Sequence, residues 1–320
     1  VTAVLGQLID QLRGVYGARR WIIAVDVVQA ATPILAGLRQ LGAGEVLIAA
    51  ASDGVGPRPD APAIVLGLHT SDMMRGIHES EALLSALPPE AVAEVDRFDP
   101  DGSARVIRSL FSTDAPVAGR RCFGGRPAAW RAYEDKLLID AFWDRAGVAR
   151  APSEVVPADP AALAAAHARL DRGRGTVWAA DNREGWHGGA HGLRWVRRPA
   201  ELAEAAAWLQ GRADAARVMP WLDGVPCSIH GIQGAGPTLV LRPCEMLVFP
   251  DRESCRLKYG QASTYWDPPP PQREQLRAVA RAAGQRLRAE VGFRGTFTVD
   301  GVMTDAGFFP TELNPRFGAA

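Results

Sequence analysis

Lysine is nearly missing from this 320-residue chain: of 36 basic residues, only Lys136 and Lys258 are lysines. Arginine has replaced lysine wherever charge alone matters, alongside heavy use of alanine. The two survivors are therefore informative, because a compact ammonium and a planar guanidinium are not interchangeable where a phosphate is approached in a tight space. Net charge is missing too, since 36 acidic residues balance the 36 basic ones. That excludes a global basic field for nucleic acid or an anionic membrane. Cysteine is scarce, and Cys122, Cys227, Cys244 and Cys255 form no CxxC pair. This speaks against a structural zinc site and reads as reduced thiols of a cytoplasmic protein. No apolar run reaches the roughly 18 residues a membrane span needs. The opening stretch, with Asp10, Arg13, Arg19 and Arg20, lacks a signal-peptide pattern. The chain begins at Val1 without Met and stops soon after TELNPR, which we read as a piece of a longer protein.

What is present is ordinary globular material, 47% hydrophobic and 22% charged. Its length favours two or three domains. WIIAVDVV (Trp21–Val28), EVLIAAA (Glu45–Ala51) and AIVLGLH (Ala63–His69) read as strands. ATPILAGLRQLG and SDMMRGIHESEALLSAL read as helices, the second capped by Thr70 or Ser71. Such alternation predicts a parallel sheet covered by helices. The stretch after the first strand, DVVQAATP, has no glycine fingerprint for a dinucleotide. A boundary is expected near Val117–Pro127. AWRAYEDKLLIDAFWDRAGV then reads as a helix with Leu138, Ala141 and Phe142 on one face, stopped at Gly147. Thr176–Ala180 and Leu193–Arg198 read as strands around a loop carrying Gly185, Gly188, Gly189 and Gly192. A helix that begins at Pro199 and ends before Gly211 follows. From Arg217 the chain turns β-rich. DRESCRLKYGQASTYWDPPPP reads as a long loop, and QREQLRAVARAAGQRLRAEVG as an amphipathic helix with Leu276, Val279, Ala280, Ala283 and Leu287 on one stripe. GTFTVDGVM and FFPTELN close as strands around a TDAG turn. The class is α/β, with α+β character in the C-terminal part.

The last hairpin carries chemistry. Glu312 and Asn314 lie two apart on one strand and face one side, and the turn brings Asp300 beside them. Two carboxylates and an amide oxygen suit Mg²⁺ held together with phosphates. Arg316 could hold a carboxylate or a transferred phosphate by its fork.

TELNPR resembles the E-[IML]-N-x-R signature of the ATP-grasp superfamily, and the resemblance extends over almost the whole chain. It implies a Rossmann-like domain over 1–120, a small ATP-binding subdomain with the glycine-rich loop over 121–212, and a large subdomain with the Mg²⁺ and phosphate site over 213–320. It implies ATP and Mg²⁺ as cofactors, and an enzyme joining a carboxylate to an amine through an acyl-phosphate, in the manner of D-alanine–D-alanine ligases and peptide ligases. Lys136, in YEDKLL, matches the lysine that reaches the ATP phosphates. Gly188 and Gly189 fall in the loop over the phosphates. RVMPWLDG matches the adenine hinge, around Val218 and Met219. RLKYG makes Lys258 a phosphate contact. Asp300, Glu312 and Asn314 match the Mg²⁺ ligands, and Arg316 the anion-binding arginine.

There are departures. The strand lysine before the glycine loop is replaced by Val177-Trp178-Ala179-Ala180, so Arg183 is a substitute or ATP is held differently. Met219 stands where a glutamate is usual, leaving Asp223 for the ribose. His187 and His191, four apart among glycines, read as loop polarity or a phosphate contact rather than metal ligands. His69 reads as a structural histidine or one facing a substrate pocket, and His230 as sheet surface or pocket wall. Expected partners are small-molecule carboxylates and amines, with no nucleic acid and no membrane; a homo-oligomer stays open. The rivals are an ATP-binding protein without ligase activity and a carboxylase- or kinase-like member.

Overall fold

A computed structural model of the chain describes residues 2–183, 188–251 and 254–318. It divides into two compact units, Val1–Ala128 and Ala129–Ala320. The first contains α1 (Thr2–Tyr16), β1 (Trp21–Val27), α2 (Ala31–Gln40), β2 (Val46–Ser52), β3 (Ala63–Val65), α3 (Met73–Ser85), α4 (Pro89–Phe98) and β4 (Arg105–Arg108). Its four strands are parallel in the order β3-β2-β1-β4. Alternate residues of the apolar run in β1 feed two cores. Ile22 and Ala24 pack with Leu84, Ala91 and Val95, while Trp21, Ile23 and Val25 pack with Leu35 and Leu38. A strand covered on both faces needs such a continuous apolar run. The third helix is capped by Asp72, whose carboxylate accepts from the Arg75 amide at 2.7 Å, and not by Thr70 or Ser71. β3 ends at Val65, so His69 lies beyond the strand and is exposed.

The second unit opens with a 3-10 helix, Ala128–Glu134, followed by α5 (Ile139–Arg145), β5 (Glu154–Pro157), α6 (Pro160–Leu170), β6 (Thr176–Ala180), β7 (Leu193–Val196), α7 (Pro199–Leu209) and β8 (Ala215–Pro220). β5-β8-β6-β7 form an antiparallel sheet, with Leu163, Ala166, Ala205 and Leu209 of its helices packed against Trp178, Ala180, Ala216 and Val218. Then come β9 (Val225–Gln233), β10 (Leu239–Val240), β11 (Cys244–Pro250), β12 (Leu257–Ser263), α8 (Pro270–Val291), β13 (Gly295–Thr304) and β14 (Gly307–Asn314). They make a six-stranded sheet in the order β12-β11-β9-β13-β14, with β10 on β9.

One face of this sheet is apolar. Cys227, Ile229, Phe297, Val299, Phe308 and Leu313 pack against Leu276, Ala280, Ala283 and Leu287 of α8. Phe308 and Leu313 are an odd number of residues apart, so strict alternation would send them to opposite faces. A register shift at Asp300/Gly301 leaves Thr311 as the extra residue that restores the phase. Gly301 permits it, since a Cβ there would lie 2.4 Å from the Phe309 carbonyl oxygen.

Two expectations fail in this unit. The helix expected across AWRAYEDKLLIDAFWDRAGV is broken at Asp135–Leu138, because the Asp135 carboxylate accepts from the Leu137 amide at 2.8 Å and closes an Asx turn. Leu138 is consequently 57% exposed, and Ile139, Phe142 and Trp143 enter the core. The expected loop around RLKYGQAS is an edge strand, β12, paired with β11.

Candidate active site

The reverse face of the six-stranded sheet is polar. Register places Ser228 of β9, Asp300 of β13 and Glu312 of β14 in one row across the strands. The next row is His230, Thr298 and Asn314. Much of this face is closed to solvent: Ser228, His230, Thr298 and Asn314 are buried, while Asp300 and Glu312 are half-buried. Buried polar groups require partners; Asn314 and Thr298 find theirs here, while the Ser228 hydroxyl and His230 Nε2 have none among the described residues. The Asn314 amide donates to the Asp300 carboxylate at 3.0 Å. The Arg316 guanidinium donates to the Asn314 oxygen at 2.9 Å. Beyond the strand end, the Thr298 hydroxyl donates to the Arg316 carbonyl at 3.0 Å and accepts from the Gly318 amide at 2.7 Å, which fixes the chain that carries Arg316.

Lys136 and Glu134 reach this face from the broken segment before α5. The Lys136 ammonium is 3.0 Å from the Glu312 carboxylate. Glu134, with a fully buried side chain, is 3.3 Å from Arg316. The segment is anchored at both ends, by Ile139, Phe142 and Trp143 in the core and by the Tyr133 hydroxyl donating to Glu290 at 2.9 Å. The electrostatics follow from burial. Loss of water and the neighbouring Glu312 carboxylate push Asp300 up to about 7, with Ser228, Arg316 and Lys136 acting the other way. Burial lowers the pKa of Arg316, and Glu312 and Asp300 oppose that shift. Burial also lowers that of His230, whose ring lies 5.5 Å from that of Phe317.

The remaining candidates fall elsewhere. Lys258 stands on edge strand β12, 62% exposed, with its ammonium 3.0 Å from Asp251. Tyr259, the next residue, is the one whose phenol is influenced by Asp300, after burial as the larger cause. Val218 points into the helix-covered core, while Met219 alternates to the opposite face of the same sheet. Asp223 is exposed, 3.2 Å from Arg174, and accepts from the Trp221 indole. Gly188 and Gly189 follow β6 in the turn before β7, and Gly189 takes a φ of +59° that favours glycine. His191 donates its amide to the Gly188 carbonyl there; Gly185 and His187 lie outside the described residues. Arg183 is tied to Asp214 at 2.7 Å. Among the described residues, no three His, Cys, Asp or Glu side chains converge as a metal cage.

Comparison with solved structures decides the fold. The chain is similar to an L-amino acid ligase from Bacillus licheniformis, with a TM-score of 0.59 and 15% identity, covering 94% of this chain and 68% of that one. It is similar to an N5-carboxyaminoimidazole ribonucleotide synthetase solved as its ADP complex, with a TM-score of 0.57 and 14% identity, covering 94% and 71%. It is also similar to a phosphoribosylamine–glycine ligase from Thermotoga maritima, with a TM-score of 0.57 and 13% identity, covering 93% and 69%. The fold is that of the ATP-grasp ligases. No family model and no curated protein sequence matches the chain.

Within this ATP-grasp fold, two residues of interest escaped sequence reasoning. Glu134 carried no signal, being one acid in a helical-looking stretch. Arg217 did carry one, as a charge inside the apolar strand ARVMP. It lies directly across from Ala179 in the β6–β8 register and grips Asp140 through two bonds, of 2.6 and 2.8 Å.

Proposed function

We propose that this chain binds ATP with Mg²⁺ and joins a carboxylate to an amine. The observation that carries the reading is the largely buried chain of charged and polar groups on the polar face of the hairpin, Lys136–Glu312 beside Asp300–Asn314–Arg316–Glu134, on a fold shared with ligases. In this reading 1–120 is the Rossmann-like domain, 121–212 the small ATP-binding subdomain and 213–320 the large one.

Asp300, Glu312 and Asn314 would hold Mg²⁺. The donor set fits: two carboxylates and one amide oxygen are hard ligands, too few for an all-protein cage and suited to an ion that shares its shell with phosphates. When bound, the ion neutralises phosphate charge. Lys136 exchanges Glu312 for a phosphate oxygen as ATP enters. Backbone amides at Gly188 and Gly189 approach the phosphates, Val218 and Met219 border the adenine, and Asp223 receives the ribose. Arg217 supplies the cation on the sheet face where Ala179 replaces the strand lysine.

Arg316 orients the substrate carboxylate with its planar fork, and Glu134 behind it fixes the guanidinium. The carboxylate oxygen attacks the γ-phosphorus, the bond to the β–γ bridging oxygen breaks, and ADP leaves. The amine then attacks the acyl-phosphate carbonyl carbon, the C–O bond breaks, and phosphate departs with that bond's electrons, carrying away the proton the amine loses. The dry polar face keeps water from the mixed anhydride.

The test is ADP release with Mg²⁺ and paired carboxylates and amines, amino acids first. The expected result is release that requires both partners. ATP binding with no ADP release across the full panel would leave the binding-only reading, which the alanine at 179 favours.

A further inference from the structure

The first unit contains a cavity of about 360 Å³ lined by Gly14, Val15, Arg19, Arg105, Arg121, Cys122 and Phe123. It lies where β1 and β4 begin, the end of a parallel sheet opposite to the one where ligands usually gather. Its charge is one-sided. β4 and the chain at 121–123 run side by side through a parallel bridge between Val106 and Cys122, with the Val106 amide donating to the Arg121 carbonyl at 3.1 Å. The register therefore sets Arg105 next to Arg121, a like-charged neighbouring pair of the kind that destabilises a sheet. Arg19 joins them from the turn before β1.

Neighbouring arginines show what satisfaction looks like in this unit. Arg20 has Glu45, Asp99 and Asp101, and Arg120 has Asp96 and Asp99. Those pairs use the nearby carboxylates. Among the described residues, no carboxylate pairs with Arg19, Arg105 or Arg121, and none lines the cavity. The other local sources of negative charge are weak. Helix α1 ends here, but a helix carboxyl end carries only about half a unit charge. Two of its last carbonyls are already bonded, Arg13 to the Gly17 amide and Tyr16 to the Trp21 indole. The Cys122 thiol, pushed up to about 11 by burial, is neutral. One wall is aromatic, Phe123 meeting Tyr16 and Trp21 edge-on at 5.2 and 5.4 Å between ring centres.

We infer that Arg19, Arg105 and Arg121 form an anion pocket for a small molecule bearing a phosphate or pyrophosphate group, built within the first unit and separate from the hairpin cluster. Three guanidiniums offer planar donor forks to the oxyanion. The ring of Phe123 can cover the organic part of a larger ligand.

Hydrogen–deuterium exchange of the whole chain with sodium pyrophosphate tests this, with AMP as a second arm to separate a free oxyanion from a phosphate on an organic body. The expected result is protection of backbone over 13–21 and 103–123 in at least one arm. R105Q/R121Q should weaken that protection about tenfold or more in concentration, as loss of charge-assisted bonds predicts, while Glu312→Ala leaves it unchanged. Melting of R105Q/R121Q without added anion checks folding separately: relieving the repulsion should hold or raise Tm. Protection confined to 129–320, or equal protection in the double variant, would overturn the inference, as would a lower Tm for that variant without anion.

Discussion

The Lys136 ammonium lies 3.0 Å from the Glu312 carboxylate, across 176 residues of sequence. Two residues earlier, Glu134 meets Arg316, four residues after Glu312. A single short turn thus delivers one cation and one anion to the end of the terminal hairpin, each against its opposite. The arrangement sets opposite charges against each other on a largely buried face, where an unpaired charge would be expensive. It also keeps Lys136 within reach of whatever displaces Glu312.

Glu312→Ala removes a proposed Mg²⁺ ligand and leaves Lys136 without its partner. Mg²⁺-dependent ADP release should fall to background. Stability should drop by about 2 kcal/mol, the range for bonds to charged groups. Circular dichroism should show an intact fold. Unchanged ADP release would remove the site from the hairpin.

Glu134→Gln keeps the shape but takes away the charge behind Arg316. The expected effect is a rise in KM for the carboxylate substrate with KM for ATP nearly unchanged. Arg316→Lys should do the same. The double variant should be little worse than either single one, because residues in one network are not additive. Additive losses would mean that Glu134 does not act through Arg316.

The segment carrying Glu134 is held by Glu290 of α8, which accepts from Tyr133, Arg145 and Arg286. These bonds, Arg145 foremost, hold Glu290 well below its usual 4.5, at about 2. A depressed carboxyl pKa stabilises the fold above the unfolded value and loses that contribution as pH falls towards the folded one. Melting followed from pH 6 downwards should therefore show Glu290→Gln less stable near neutrality, with the gap closing between about 4.5 and about 2. A constant gap across that window would mean that the carboxylate's charge contributes nothing.

How much of this was legible beforehand depends on the distance over which each cause acts. The period-two pattern and the TDAG turn put Asp300, Glu312 and Asn314 together correctly, because a hairpin is a local object. The partner of Lys136 was not legible, since Glu312 is a tertiary neighbour. The break at Asp135 competed with a strong helical pattern and won through one side-chain bond to a backbone amide. β12 was missed because its polar composition suits an edge strand, and its strand state comes from β11 beside it. The bulge at Thr311 is visible afterwards as the odd spacing of Phe308 and Leu313, a parity signal that a reading by propensity does not use.

The two lysines now separate. Both were expected to contact phosphate, yet Lys136 is 13% exposed and joined to the charge cluster, while Lys258 is 62% exposed and paired with Asp251. A cation already at the polar face needs only to change partners, whereas Lys258 must first leave its strand-edge pair. Lys136→Ala should therefore lower kcat/KM for ATP by about a hundredfold, equivalent to roughly 3 kcal/mol of lost phosphate stabilisation. Lys258→Ala should cost less than about tenfold, nearer the value of an exposed ion pair. Lys136→Arg should rescue poorly, because the fork does not fit where the compact ammonium meets Glu312. Equal losses for the two alanine variants would show that β12 rearranges when ATP binds, bringing Lys258 to the phosphates as its sequence context suggested.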